Sequence, residues 1–203
     1  MVLYLLLTYV VGSIPNGYVV VKKIKGIDIR TVGSGNIGAT NVNRVMGTKW
    51  FIVVLVLDAL KGYLPVLFSF ILFKDMPLVP VLSGVAAILG HTFTIFLKFK
   101  GGKGVATSLG VFFALAPISI ISCLVIFLIV FYLFKYVSLG SIIASVLFPA
   151  FVFIYGESGY LNLILIFAFA AAAFIVYMHK ENIKRLMNGT ESKFEIKTDK
   201  KAK

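Results

Sequence analysis

Apolar residues run along this chain in long blocks, each closed by a short polar or basic stretch. Roughly 20 helical residues cross a hydrocarbon core of about 30 Å. Blocks of that size predict helices over Val2–Val21, Trp50–Phe73, Leu78–Leu97, Val137–Tyr155 and Tyr160–Met178. Lys22, Lys23 and Lys25 close the first, Lys74-Asp75-Met76-Pro77 the second, and Lys98-Phe99-Lys100-Gly101-Gly102-Lys103-Gly104 the third. The block from Val105 to Phe134 suits one long tilted helix or two short ones divided at Ala116-Pro117. Parity separates the two options. Two crossings gather Lys22–Arg44, Lys98–Lys103, Lys135 and the lysine-rich end of the chain on one side, whereas a single crossing splits them. Proline at the join supplies no backbone donor and disfavours a continuing helix. The pattern therefore predicts an all-α polytopic membrane bundle of seven transmembrane helices. Its N-terminus is outside and its C-terminus cytoplasmic, with Gly156-Glu157-Ser158-Gly159 on the lysine-poor side. Residues 1–189 read as a single transmembrane domain. Residues 190–203, charged and without apolar periodicity, read as a disordered cytoplasmic tail. No basic residues precede the apolar run at Met1–Val11, which favours a retained helix over a cleaved signal.

Composition narrows the class. With 203 residues, 60% apolar, 14% charged and a mean hydropathy of +1.00, the chain is no ordinary soluble domain. Its formal charge of +12 has to collect in loops and tail, facing anionic headgroups or anionic substrates. Cys123 is the sole cysteine, so the chain by itself builds neither a disulfide nor a cysteine-based metal site.

The candidate chemistry lies in three polar patches. In Gly33-Ser34-Gly35-Asn36-Ile37-Gly38-Ala39-Thr40-Asn41-Val42-Asn43-Arg44, three glycines free the main chain for close approach to a ligand. Ser34, Asn36, Thr40, Asn41 and Arg44 surround it with hydrogen-bonding groups, and the guanidinium suits bidentate phosphate binding. The literal G-x-G-x-x-G is a decoy, because that fingerprint belongs in a βαβ unit and the neighbours here are membrane spans. The second patch, Lys98–Gly104, opens a helix with Gly101, Gly102 and Lys103, an arrangement that favours anions by dipole, donors and charge together. It is no Walker A loop, since Leu97 and Gly104 occupy the places of the first glycine and of Ser/Thr. The third patch carries His179 and Asn182 one helical turn apart, followed by Lys184 and Arg185. His91, near the end of the third block, is an intramembrane ionisable group and so a functional candidate, with a packing role as the plain alternative. Asp58 and Lys61, three apart on one helix, predict a buried ion pair, with substrate contact as the less favoured reading.

Taken in order, Gly33–Arg44, then Gly90-His91 with Phe99-Lys100-Gly101-Gly102-Lys103-Gly104-Val105-Ala106-Thr107, then His179-Lys180-Glu181-Asn182-Ile183-Lys184-Arg185-Leu186, resemble the bacterial acyl-phosphate:glycerol-3-phosphate acyltransferase family. The likeness extends through Gly12-Ser13-Ile14-Pro15 and Leu57-Asp58-Ala59-Leu60-Lys61-Gly62. Thr94 departs from it, standing where the family often has proline. The resemblance implies a seven-helix enzyme of phospholipid synthesis in the bacterial inner membrane, with its site at the cytoplasmic face. Its reaction would move a fatty acyl group from acyl phosphate to the 1-hydroxyl of sn-glycerol 3-phosphate, releasing lysophosphatidate and inorganic phosphate. It implies no cofactor, no metal and no nucleic-acid partner.

On that basis the loop with Gly33, Ser34, Gly35, Asn36, Gly38, Thr40 and Asn41 is expected to cradle the acyl phosphate. Arg44, Lys103 with Gly101 and Gly102, and His179 are expected to hold glycerol 3-phosphate, and Asn182 to orient an oxygen. The proton would go to His91, His179 or a substrate phosphate. Ser34 as a covalent nucleophile has no visible base beside it, which favours direct transfer. The histidine-aspartate motif of acyltransferases that use coenzyme A is absent, because its aspartate positions after His91 and His179 hold Phe96 and Lys184. The competing class is a transporter of a phosphorylated metabolite, which would want charges near the bilayer midplane and access from both faces. A nucleotide-lipid phosphotransferase would need paired aspartates for metal, and these are missing.

Overall fold

The computed structural model describes residues 1–157 and 159–196, so Ser158 of the lysine-poor connection and residues 197–203 of the expected tail lie outside the described residues. Ten α-helices follow in order: α1 (Val2–Gly12), α2 (Asn16–Lys25), α3 (Ala39–Met46), α4 (Thr48–Leu72), α5 (Leu78–Thr92), α6 (Val105–Leu115), α7 (Pro117–Phe134), α8 (Val137–Tyr155), α9 (Leu161–Met178) and α10 (Lys180–Met187). Among the described residues, six segments are long and apolar enough to cross a membrane, the first being Val2–Lys25. The seventh expected crossing falls on α6, whose 11 residues rise only about 16 Å. Large apolar side chains such as Leu3, Leu128, Phe153, Ile166 and Phe169 cover the outer surface, as a lipid-facing bundle requires.

The structure departs from the sequence pattern at two places that matter for the site. First, the opening span is broken between α1 and α2 at Ser13-Ile14-Pro15, because proline cannot donate the helix hydrogen bond. Two freed carbonyls find partners: Ser13 O accepts from Thr94 Oγ1 at 2.5 Å, and Ile14 O from Lys61 Nζ at 2.7 Å. A broken helix is tolerated at membrane depth when its carbonyls are satisfied in this way. Thr94, the departure from the family pattern, thus ties the end of α5 to the break. Second, the expected long polar loop contains α3, which packs Val42 and Met46 with Val21, Ile29, Ile37 and Val54 into a small apolar cluster under the glycine loop.

The Val105–Phe134 block divides at Ala116-Pro117 as anticipated, with Pro117 in the first turn of α7, where its missing N–H costs nothing. Helix α6 stands inside the bundle. Phe112, 2% exposed, packs its ring 4.4 Å from that of Phe148 and 4.9 Å from that of Phe167. Glycine lets α4 and α6 touch: a Cβ on Gly62 or Gly110 would collide with the backbone of Thr107 or Ala59, the small-residue contact expected between helices in lipid.

Candidate active site

Two glycine-bearing loops and the C-terminal helix enclose one cavity of about 1060 Å³. The first loop is shaped from within. Gly33 and Gly35 take φ of +61° and +69°, the left-handed region that glycine enters without penalty. Asn41, 1% exposed, stitches the loop together: its Oδ1 accepts from Ser34 N at 2.9 Å, and its Nδ2 donates to the carbonyls of Ile29, Val32 and Asn36. Asn36 Oδ1 in turn accepts from Gly38 N at 2.8 Å. Asn41, expected as a substrate ligand, spends its amide on the loop, and what it offers the cavity is the loop's shape. A Cβ on Gly33 would fall on Asn41 Oδ1. Gly38 begins α3 without a side-chain cap, so the N–H groups of that helix's first turn sit beside the cavity at a partial positive charge.

Removing the Asn41 amide strands Ser34 N–H and Asn36 O, while Val32 O and Ile29 O keep the backbone donors Gly35 N and Val32 N, and each buried group left unsatisfied costs about 1–3 kcal/mol. Asn41→Ala is therefore expected to lower stability by at least about 2 kcal/mol and to abolish activity. A thermal unfolding midpoint in detergent equal to the parent protein's would contradict this.

The second loop is folded back on α5. Lys98 and Phe99, with φ of 54° and 60°, turn the chain, so that Gly101 N donates to Thr92 O at 2.9 Å and Gly102 N to His91 O at 3.1 Å. Gly104, φ +85°, then starts α6. Lys103 Nζ donates to Asn182 Oδ1 on α10. Burial and the neighbouring cations Arg185 and Arg44 bring its pKa down to about 8, against the pull of Glu191.

On the third patch, His179 is 4% exposed and its Nδ1 lies 2.8 Å from Ile175 O. A carbonyl can only accept, so Nδ1 carries the proton and Nε2 keeps its lone pair. Desolvation holds the ring's pKa down at about 4, against the raising effect of that hydrogen bond, so His179 is neutral at pH 7.

Within the stretch expected to be a loose tail, Glu191 is buried and Phe194 half-buried against the protein. Glu191 Oε1 accepts from Ser138 Oγ at 2.7 Å and Asn182 Nδ2 at 2.6 Å, while Oε2 pairs with Arg185 Nε at 2.6 Å. Burial pushes this carboxyl's pKa up, but those three donors outweigh it and the net shift is downward. Phe194 packs edge-on to Phe51 and Phe131, and its N–H donates to Lys135 O.

Of the residues singled out in the sequence, Ser34, Gly35, Asn36, Gly38, Thr40, Asn41, Arg44, Asp58, His91, Lys103, His179 and Asn182 border the cavity; Gly33, Gly101 and Gly102 do not. Gly101 and Gly102 lie instead against the main chain and ring at the end of α5. Sequence reasoning missed Asn43, Ser108, Ser138 and Glu191, and left Arg185 as a basic helix end. Glu191 follows Asn182 by nine residues beyond a glycine, and nothing local marks it as buried. Beyond the polar end the cavity is apolar, walled by Phe51, Leu55, Phe112, Leu124, Phe127 and Phe148. The arrangement offers cations and open N–H groups at one end and room for hydrocarbon at the other.

Residues 2–189 match the family model for glycerol-3-phosphate acyltransferase. A glycerol-3-phosphate acyltransferase of Fusobacterium nucleatum is 46% identical over 196 residues, covering 95% of this chain and 97% of that one. Its Bacillus subtilis counterpart is 45% identical over 191 residues, covering 94% and 96%. The crystal structure of PlsY (YgiH), an integral membrane glycerol 3-phosphate acyltransferase, in its glycerol 3-phosphate form superposes with a TM-score of 0.89 at 42% identity, covering 96% of this chain and 95% of that one. Its lysophosphatidic acid form gives 0.86 at 41% identity. A polar-to-apolar cavity built from three motifs that match over nearly the whole length leaves one assignment: this chain belongs to the glycerol-3-phosphate acyltransferase family.

Proposed function

We propose that the protein transfers a fatty acyl group from acyl phosphate to the 1-hydroxyl of sn-glycerol 3-phosphate, yielding lysophosphatidic acid and inorganic phosphate. The observation that carries the reading is the single cavity in which Arg44, Lys103 and Arg185 border the polar end and aromatic and aliphatic side chains line the rest. Both reactants are phosphorylated and one has a long tail, so a site of this composition meets both at once. Ser34 and the first turn of α3 hold the acyl phosphate, while Arg44 and Lys103 hold glycerol 3-phosphate. Asn182 is fixed between Lys103 and Glu191 and orients a substrate oxygen.

The hydroxyl oxygen, hydrogen-bonded to His179 Nε2, attacks the acyl carbon. The C–O bond to phosphate breaks, and the hydroxyl proton passes to His179 and from there to the departing phosphate. Phosphate is a good leaving group, so positioning and charge stabilisation supply most of the rate. Two bound anions raise the basicity of a ring that is neutral in the free site. Helix α6 makes the seventh crossing. The Gly101–Gly104 loop precedes it at the membrane interface, with the Gly101 and Gly102 N–H groups held by the carbonyls of Thr92 and His91 and with Lys103 and Gly104 at the cavity. The N-terminus is then outside and the site opens at the cytoplasmic face of the bacterial inner membrane.

Purified protein supplied with labelled glycerol 3-phosphate and either palmitoyl phosphate or palmitoyl coenzyme A tests the donor. Labelled lysophosphatidic acid is expected from palmitoyl phosphate alone; product from the thioester at a comparable rate would overturn this reading.

A further inference from the structure

Beneath the second glycine loop lies a buried set of charged and polar side chains that the proposed chemistry does not use. Asp58 on α4 is 2% exposed, and its Oδ1 pairs with Lys61 Nζ at 2.8 Å and accepts from Asn16 Nδ2 at 2.9 Å. Lys61 also holds Ile14 O at the break in the first span. The His91 ring fills the space between this pair and the loop. Its Nδ1 is 3.8 Å from Asp58 Oδ1, and its Nε2 lies where a Cβ on Gly102 would be. Gly102 N is bonded to the carbonyl of the same histidine, and the next residue is Lys103.

An ion pair deep in a membrane bundle is costly, so a functional cause is the first one to seek. The break at Ser13–Pro15 accounts for Lys61 through Ile14 O. It does not account for a carboxylate set against a histidine, or for a histidine set against a glycine that has no room for a side chain. Nε2 lies against Gly102, and Nδ1, buried without a hydrogen-bond partner, faces the Asp58 carboxylate.

We infer that Asp58 is a positioning residue for the transfer reaction: with Lys61 it fixes the His91 ring as the floor under Gly102, and so sets where the Lys103 ammonium meets the phosphate of glycerol 3-phosphate. This rests on Lys103 binding that phosphate. The path runs from Ile14 and Asn16 through Lys61, Asp58, His91 and Gly102 to Lys103, and it enters the second loop at Gly102. The loop from Gly33 to Gly38 is shaped by Asn41.

The test uses the full-length protein in detergent. Asp58→Asn alone leaves Lys61 buried without a counter-charge and is prone to misfold. The informative variant is therefore Asp58→Asn with Lys61→Met, which removes both charges at similar volume, and His91→Gln stands beside it as a single change. Both are expected to raise KM for glycerol 3-phosphate about tenfold, to leave KM for acyl phosphate unchanged, and to lower kcat by less than about threefold; a tenfold change is about 1.4 kcal/mol of binding. Combining all three changes is expected to be no worse than His91→Gln alone, because the residues act along one path. An unchanged KM for glycerol 3-phosphate in either variant overturns the inference, as does an equal rise for both substrates, which marks general loosening. A fall in kcat of a hundredfold or more at constant KM in His91→Gln also overturns it, by putting the imidazole on the reacting atoms. Failure of the underlying assignment looks different: Lys103→Met would then bind glycerol 3-phosphate, measured by calorimetry, as tightly as the parent protein.

Discussion

Lys103→Met is expected to lower kcat/KM for glycerol 3-phosphate by about 10²–10³, the usual cost of removing one preorganised charged donor from a water-poor site. Both parameters should suffer, because in the proposed reaction the ammonium meets a phosphate in the ground state and the charge that develops on the departing phosphate is felt in the same enclosure. Lys103→Arg should recover part of the loss: it restores charge, but the guanidinium does not fit the place where Nζ donates to Asn182 Oδ1. The pH profile adds a sharper check. A lysine is cationic below its pKa, and burial beside Arg185 and Arg44 brings this one to about 8. At pH 7 about nine-tenths of the free enzyme carries the charge, and that fraction falls as pH rises through 8. The value of kcat/KM, which reports the free enzyme, should therefore decline tenfold per pH unit on the alkaline side of about 8. Bound phosphate favours the charged form, so the corresponding limb in kcat should lie at higher pH. The Lys103→Arg variant should lose the limb, since arginine does not titrate there. A parent profile that stays level to pH 10 would remove Lys103 from phosphate binding.

His179→Gln is expected to lower kcat by about 10²–10⁴, the range for loss of a positioned proton acceptor, with KM for either substrate changed much less. Ile175 O takes the Nδ1–H at 2.8 Å, which leaves Nε2 as the lone pair at the cavity. Desolvation keeps the ring neutral, with a pKa of about 4 in the free protein. Protonation sets in only as pH approaches that value, so kcat/KM should show no acid limb from this histidine between pH 6 and 8. Glutamine can accept a hydrogen bond but cannot take the proton. A kcat within threefold of the parent's would mean that the substrate phosphate receives the proton directly and that His179 only orients the hydroxyl.

Much of the membrane architecture was legible in local sequence, because a helix in hydrocarbon is specified by an unbroken apolar run and its end by a charge or a proline. That is why the division at Ala116-Pro117 and the pairing of Asp58 with Lys61 at 2.8 Å could be anticipated. The break at Ser13–Pro15 was less visible. A proline near the middle of an apolar run kinks or splits a helix according to who satisfies the freed carbonyls, and here the partners are Thr94 and Lys61, far along the chain. Helix α3 hid in a stretch read as loop, because its eight residues are too few to show a convincing apolar stripe.

Local patterning was enough to place the chain in a bilayer, to gather its polar residues into three patches, and to say which residue types those patches carry. Long-range packing alone brings the patches to one cavity, turns the Asn41 amide onto its own loop, and returns Glu191 to Ser138, Asn182 and Arg185. Patterning reports what each segment must hide from lipid or water, within a turn or two of helix. Which segments then share a pocket depends on contacts between residues dozens of positions apart, such as the 53 that separate Ser138 from Glu191.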